Sequence, residues 1–243
     1  MTEAIHQPCP DCGSSDALQI NKSSTYCHSC RKYTKTGEGY YPVEVPENHD
    51  PRPKPSFNAV ENMLTTGKYQ SIVSRGLTTA TAQFYGILET PEKTYFSYHH
   101  PEDSLVPIAA KIRLPDKQHS IVGEWKDAGL FGQHLFSAGS SKYVTITEGE
   151  FDAAASYQMQ GSKYPVVSVR NGASGALKDC KAAYEWLDSF DAIVISMDSD
   201  EPGQKAAREI AELFGGKSAV MKNPPHYKDA CDYLVANDTK GYI

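Results

Sequence analysis

The chain has 243 residues, 40% of them hydrophobic, and a formal net charge of −6. That length holds one large domain or two unequal ones with enough apolar content for a core. A mean hydropathy of −0.50 and the lack of a long apolar run exclude a transmembrane helix. Residues 1–7 are polar and show no secretory signal, so a cytoplasmic protein is expected. The acid excess is unusual for a nucleic-acid binder but does not exclude one. Glu148, Glu150, Asp152, Asp198, Asp200 and Glu201 are all acidic, and basic patches elsewhere can still contact phosphate.

In chain order, the first feature is a pair of knuckles, Cys9-Pro10-Asp11-Cys12 and Cys27-His28-Ser29-Cys30, fourteen residues apart. Two thiolates at this spacing reach one tetrahedral Zn²⁺, and two pairs close a structural site of four cysteines. Leu18-Gln19-Ile20, Ser24-Thr25-Tyr26 and Lys32-Tyr33-Thr34 read as the strands of a zinc ribbon over residues 1–36. A module this small needs the metal to fold. Lys22, Tyr26, His28, Arg31, Lys32, Tyr33 and Lys35 give it a basic, aromatic surface of the kind that holds single-stranded nucleic acid, although an ordinary solvated surface reads equally well.

Residues 37–56 carry Pro42, Pro46, Pro51, Pro53 and Pro55 without periodicity and are expected to be a flexible linker. Residues 57–139 read as α+β. A short helix is expected at 60–64. A second, at 80–85, is capped by Thr78 or Thr79 and followed by Gly86. Strands are expected at 94–98, 105–114 and 120–123. Lys111 and Arg113 alternate with Ile112, so both project from one strand face, and Lys117 follows in the turn. Such cations can hold a triphosphate or template phosphates. In isolation the pattern reads as a solvent-facing strand.

From Lys142 the pattern becomes strand–helix–strand. Val144-Thr145-Ile146-Thr147 is a β-branched strand that stops at Glu148, and Gly149 lets the chain turn into a helix. Pro165-Val166-Val167-Ser168-Val169 is a buried strand, and the turn Asn171-Gly172-Ala173-Ser174-Gly175 opens a helix at 176–187, offering N–H groups to phosphate. Ala192-Ile193-Val194-Ile195-Ser196-Met197 is another strand, closed by Asp198-Ser199-Asp200 and followed by a helix from Pro202 to Phe214. A last strand at 218–221 and a helix opening near Asp229 complete the order. Cys180 and Cys231 read as core residues. This order predicts a mostly parallel sheet with helices on both faces. In such a sheet Glu148, Asp198 and Asp200 converge on one crevice at the strand ends. Clustered carboxylates call for a hard cation, Mg²⁺ or Mn²⁺, with Asp229 as a further ligand.

Thr147-Glu148-Gly149-Glu150 followed by Met197-Asp198-Ser199-Asp200-Glu201 resembles the TOPRIM domain of primases, topoisomerases and some nucleases, here at 142–236. The whole arrangement of ribbon, linker, α+β block and TOPRIM is similar to the primase half of the primase–helicases of short-tailed bacteriophages. Ser74-Arg75-Gly76-Leu77, Lys111-Ile112-Arg113 with Lys117, Leu130-Phe131-Gly132-Gln133-His134-Leu135 and Lys228-Asp229-Ala230 add to the likeness. The resemblance implies metal-dependent synthesis of a short RNA primer from ribonucleoside triphosphates on a single-stranded DNA template. It implies an RNA polymerase domain at 57–243, a template-recognising ribbon, and a replicative helicase and DNA polymerase as partners. Lys111 and Lys117 would hold the incoming nucleotide, and Arg75, Arg113, His134, Ser168 and Asn171 are further candidates for binding nucleotide or template. Glu148 would ligate a second ion or accept the proton of the attacking 3′-hydroxyl. No Walker-A lysine motif occurs in these residues, and a monomer or weak association is expected. The family's ribbon can carry a histidine before its third cysteine, where this chain has Ser24-Thr25-Tyr26. The remaining readings are a TOPRIM nuclease or topoisomerase part, and a non-catalytic recombination mediator that binds DNA.

Overall fold

The structure, a computed structural model, describes residues 2–14, 17–21, 24–30, 32–35 and 57–242. The expected linker and the ribbon's Lys22 and Arg31 lie outside the described residues. The chain divides into two compact units, Met1–Ser56 and Phe57–Ile243.

The first unit is an antiparallel sheet in the order β1 (Thr2–Gln7), β2 (Leu18–Asn21), β3 (Ser24–Cys27), β4 (Tyr33–Lys35). Three strands were expected, and β1 is the addition. It pairs with β2 through two register shifts, so its partner lies beyond the reach of local pattern. The core of this unit is Cys9, Leu18 and Cys27, which supports its need for a metal.

The second unit holds two sheets on a shared core. The antiparallel sheet runs β5 (Ile87–Glu89), β6 (Thr94–His100), β7 (Asp103–Arg113), β8 (His119–Gly123). Helix α1 (Phe57–Thr66) contributes Val60 and Met63 to a small cluster with Leu88 and Ala110. Thr78 caps α2 (Thr79–Phe84) by accepting from the Thr81 N–H, and Gly86 follows with φ +66°. Phe96, Tyr98, Tyr85 and Phe131 fill the centre with edge and stacked ring contacts. Gly132, at φ +81°, approaches so closely that a Cβ there would sit 2.7 Å from the Tyr85 ring.

The parallel sheet has the order β10 (Val166–Ser168), β9 (Tyr143–Thr147), β11 (Ala192–Ser196), β12 (Ser218–Val220). Val144 and Ile146 of β9 face a core built with α4 (Ala176–Ala182) and α6 (Glu201–Phe214). Helix α3 (Glu150–Met159) covers the other face, and its Ala153, Ala154 and Ala155 join the aromatic core of the antiparallel sheet. Small residues allow that close approach. Thr147 is in register with Ser168 on one side and Ser196 on the other, so the three strands end level.

The helix expected at 176–187 is two, α4 and α5 (Tyr184–Asp188), broken at Ala183 with φ −100° and ψ 17°. Packing outweighs the local preference: Tyr184 stacks on Phe214, and the Trp186 Nε1–H donates to the Phe136 carbonyl. Helix α7 (Ala230–Val235) starts just after Asp229, which caps it, and a short α8 (Thr239–Tyr242) returns Tyr242 to the core.

Candidate active site and zinc centre

In the ribbon the four cysteine Sγ atoms lie within 4.8 Å of one another. The Cys9–Cys30 and Cys12–Cys27 sulfur pairs are 3.9 and 3.7 Å apart. Tetrahedral Zn²⁺ with Zn–S near 2.3 Å places sulfurs about 3.8 Å apart, whereas a disulfide needs about 2.05 Å. The donor set therefore fits zinc. His28 turns away, its Nε2 3.1 Å from Gln19 Oε1. Tyr33 is well exposed, while Lys32 is paired with Asp11.

At the ends of the parallel strands the chain builds an acidic crevice. Glu148 leaves β9, and its Oε1 accepts from the Ala173 N–H at 3.3 Å. Its Oε2 is buried without a hydrogen-bond partner. Asp198 and Asp200 leave β11, and Asp200 caps α6 by accepting from the Gly203 N–H at 3.1 Å. The two segments close on Gly203: a Cβ there would lie 2.4 Å from the Asp198 carbonyl and 3.0 Å from Glu148 Oε2. Only glycine fits. Asp229 caps α7 through the Asp232 N–H at 3.0 Å. Asp152, one turn into α3, accepts from the Cys231 N–H at 3.1 Å.

Electrostatics follow from this crowding. Burial, then the Asp198 charge, raises the Glu148 carboxyl above its ordinary range. Burial also raises Asp198, against the pull of Lys228. The Gly203 N–H and then Lys228 hold Asp200 low. Asp152 is pushed well up by burial and by Asp229. Among the described residues, only the cysteines and the trio Asp152, Asp229 and Cys231 bring three such ligand atoms within 4.8 Å of one another. Glu148, Asp198 and Asp200 thus share the crevice with wider spacing, and the Lys228 ammonium lies between the two aspartates. Oxygen donors, one of them unpartnered, suit Mg²⁺ or Mn²⁺. The Cys231 thiol is held neutral by burial and does not suit a hard cation.

The cations divide. Arg75, Arg113 and Lys117 line a cleft of about 450 Å³ with Lys93 and Phe151. The Arg75 and Arg113 guanidinium carbons stand 5.0 and 5.5 Å from the Phe151 ring centre, so the cleft abuts the start of α3. Lys117 holds φ +67°, a left-handed conformation unusual for a lysine. Lys111 is not among the cleft's lining residues. Its ammonium pairs with Glu150 and donates to the Arg170 carbonyl at 2.6 Å, and the Tyr98 hydroxyl donates to the same Glu150 oxygen at 2.6 Å.

Three sequence candidates are placed elsewhere. His134 stacks on His99 with ring centres 3.6 Å apart. Burial, then His99, pushes its pKa down to about 3. Ser168 is fully buried, and its hydroxyl donates within its own strand exit to the Val169 carbonyl. Its backbone pairs with Phe131. Asn171 donates to Asp179 rather than facing the crevice.

Sequence reasoning missed Asp179. This buried carboxylate accepts from the Arg170 N–H at 2.8 Å, the Arg170 guanidinium at 3.0 Å and the Asn171 N–H at 3.2 Å. It thereby fixes the turn whose Ala173 N–H holds Glu148. It also missed the Lys111–Glu150–Tyr98 group, Asp152 as a crevice residue, and Lys228. The only signal for Lys228 was its place before Asp229.

Residues 145–234 match the Toprim-like family. A DNA helicase/primase of Enterobacteria phage T3 is 31% identical over 244 residues, and the alignment takes in 98% of this chain and 42% of that protein's length. The crystal structure of the primase fragment of the bacteriophage T7 primase-helicase is similar with TM-score 0.65 and 30% identity, covering 99% of this chain and 98% of that one. A chain in the structure of the T7 lagging-strand DNA polymerase interacting with primase domains, bound to an RNA/DNA hybrid and dTTP, is similar with TM-score 0.64 and 33% identity over 76% of this chain and 91% of that one.

Proposed function

We propose, because the chain belongs to the primase family of phage primase–helicases, that it makes short RNA primers from ribonucleoside triphosphates on single-stranded DNA. The observation that carries this reading is the crevice, with Asp198 and Asp200 leaving β11 beside Glu148 leaving β9. The ribbon selects the template, residues 57–243 carry the polymerising chemistry, and a replicative helicase and a DNA polymerase are the partners.

Phosphoryl transfer needs alignment and charge neutralisation more than covalent help. A bound Mg²⁺ or Mn²⁺ supplies that neutralisation. Asp198 and Asp200 would hold it, with Asp229 and Asp152 beside them. The primer's 3′-hydroxyl oxygen attacks the α-phosphorus, the bond to pyrophosphate breaks, and the hydroxyl proton leaves. Oε2 of Glu148, buried without a hydrogen-bond partner, is the oxygen that would take up this proton or hold a second ion. Arg75, Arg113 and Lys117 counter triphosphate charge in the adjoining cleft. Lys111 acts from the Glu150 pair, holding the start of α3 against β7.

The test supplies single-stranded DNA, labelled ribonucleotides and Mg²⁺. Oligoribonucleotides support the reading. Degraded template without them moves the chain to the hydrolytic TOPRIM enzymes.

A further inference from the structure

Lys228 takes no part in the mechanism above, yet its ammonium bridges the two aspartates of the crevice. Nζ lies 2.8 Å from Asp198 Oδ2 and 3.0 Å from Asp200 Oδ2. The main chain of this lysine is tied on both sides. Its carbonyl accepts from the Ser199 N–H at 2.9 Å and from Asn223 Nδ2 at 3.1 Å, and its N–H donates to Asp232 Oδ2 at 2.7 Å. Ser199 is the residue between the two aspartates, so the lysine's stem is fixed directly beside them. The side chain itself is 54% exposed and can swing while its backbone stays.

We propose that Lys228 is a stand-in cation: it neutralises Asp198 and Asp200 in the resting protein, and metal enters by displacing its ammonium. The proposal rests on the metal reading of the site. Neutralising both aspartates costs metal affinity, because an entering ion must break two charge-assisted bonds before it makes its own. The displaced ammonium, on a half-exposed side chain, would be free to pair with a triphosphate bound with the metal. A nucleotide gives it a new anionic partner, so metal and nucleotide bind with positive coupling, each raising the affinity of the other. The lysine thus acts against metal bound alone and in favour of metal bound with substrate.

Manganese binding to the zinc-loaded, full-length protein, read by electron paramagnetic resonance with and without ATP, tests this. Lys228→Met should bind Mn²⁺ without nucleotide at least about tenfold more tightly than the parent, and ATP should raise its affinity by a smaller factor. Lys228→Arg keeps a cation able to bridge both carboxylates and should bind no more tightly than the parent. Because the side chain is half exposed, these variants should fold, which circular dichroism checks; Lys228→Gln serves if Lys228→Met does not. Unchanged or weaker Mn²⁺ binding in the neutral variant overturns the proposal. Asp198→Asn separates the two levels. If it loses Mn²⁺ while the neutral variant shows no gain, the metal site stands and the role of Lys228 falls. If Asp198→Asn binds Mn²⁺ like the parent, the metal reading itself has failed.

Discussion

At the scale of single residues, the two lysines singled out by sequence have different surroundings, and that difference predicts different defects. Lys117 lines the open basic cleft, so Lys117→Ala should raise the nucleotide KM with little change in melting temperature. Lys111 is 13% exposed and paired with Glu150. Removing one partner leaves the other charge buried, at a cost of about 3 kcal/mol or more. Lys111→Ala should therefore lower melting temperature as well as activity. Equal melting temperatures in the two variants would contradict this division. His134 makes a pH prediction. Its pKa is about 3 in the fold, against 6.5 ordinarily, because burial and then His99 disfavour the imidazolium. Between those values the unfolded chain binds more protons, so this contribution is present above about pH 6.5 and is lost as pH falls toward 3. In urea titrations from about pH 7.5 to about pH 4.5, His134→Phe should show a shallower loss of stability than the parent. Parallel curves would show that the stacked imidazole carries no such penalty.

At the scale of elements, what was legible depended on how local the cause was. The cysteine spacing predicts the ribbon's ligand set because two knuckles act within a few residues of each other. The placement of Glu148, Asp198 and Asp200 at strand ends was legible from a β-branched run followed by an acid and a glycine. The cap of α2 was legible to within one residue, and geometry selected Thr78. What was not legible depends on distant partners. Strand β1 is defined by its pairing with β2, and the break at Ala183 by Phe214 and Phe136. Asp179 looked like one more polar residue of a helix, although it fixes the turn that holds Glu148. The start of α6 gives the matching prediction. Gly203→Ala would push a methyl group into the Asp198 carbonyl and against Glu148 Oε2. It should cut primer synthesis at least about tenfold while costing only about 1–3 kcal/mol of stability. Activity within twofold of the parent would show that the crevice can open at no cost.

At the scale of the whole molecule, the division of labour between its two compact units can be tested by cutting between them. The second unit has its own core and contains the crevice and the basic cleft. Residues 57–243 alone should fold and extend a supplied oligoribonucleotide, but should lose preference for where on the template synthesis starts. Cys9→Ser or Cys30→Ser should have the same effect, because a broken four-cysteine site could no longer bind a metal that would hold the small unit together. Truncated protein that starts at the same template positions as the parent would place recognition in the second unit. The central claim is that the Asp198–Asp200 pair beside Glu148 makes RNA with a divalent cation. The most direct measurement compares the parent with Asp198→Asn and Asp200→Asn on single-stranded DNA with labelled ribonucleotides and Mg²⁺. Each substitution keeps the volume and removes one anionic oxygen ligand. The account predicts oligoribonucleotides from the parent and none from either variant, with both variants folded. Full-length product from either variant at moderate Mg²⁺ would contradict it.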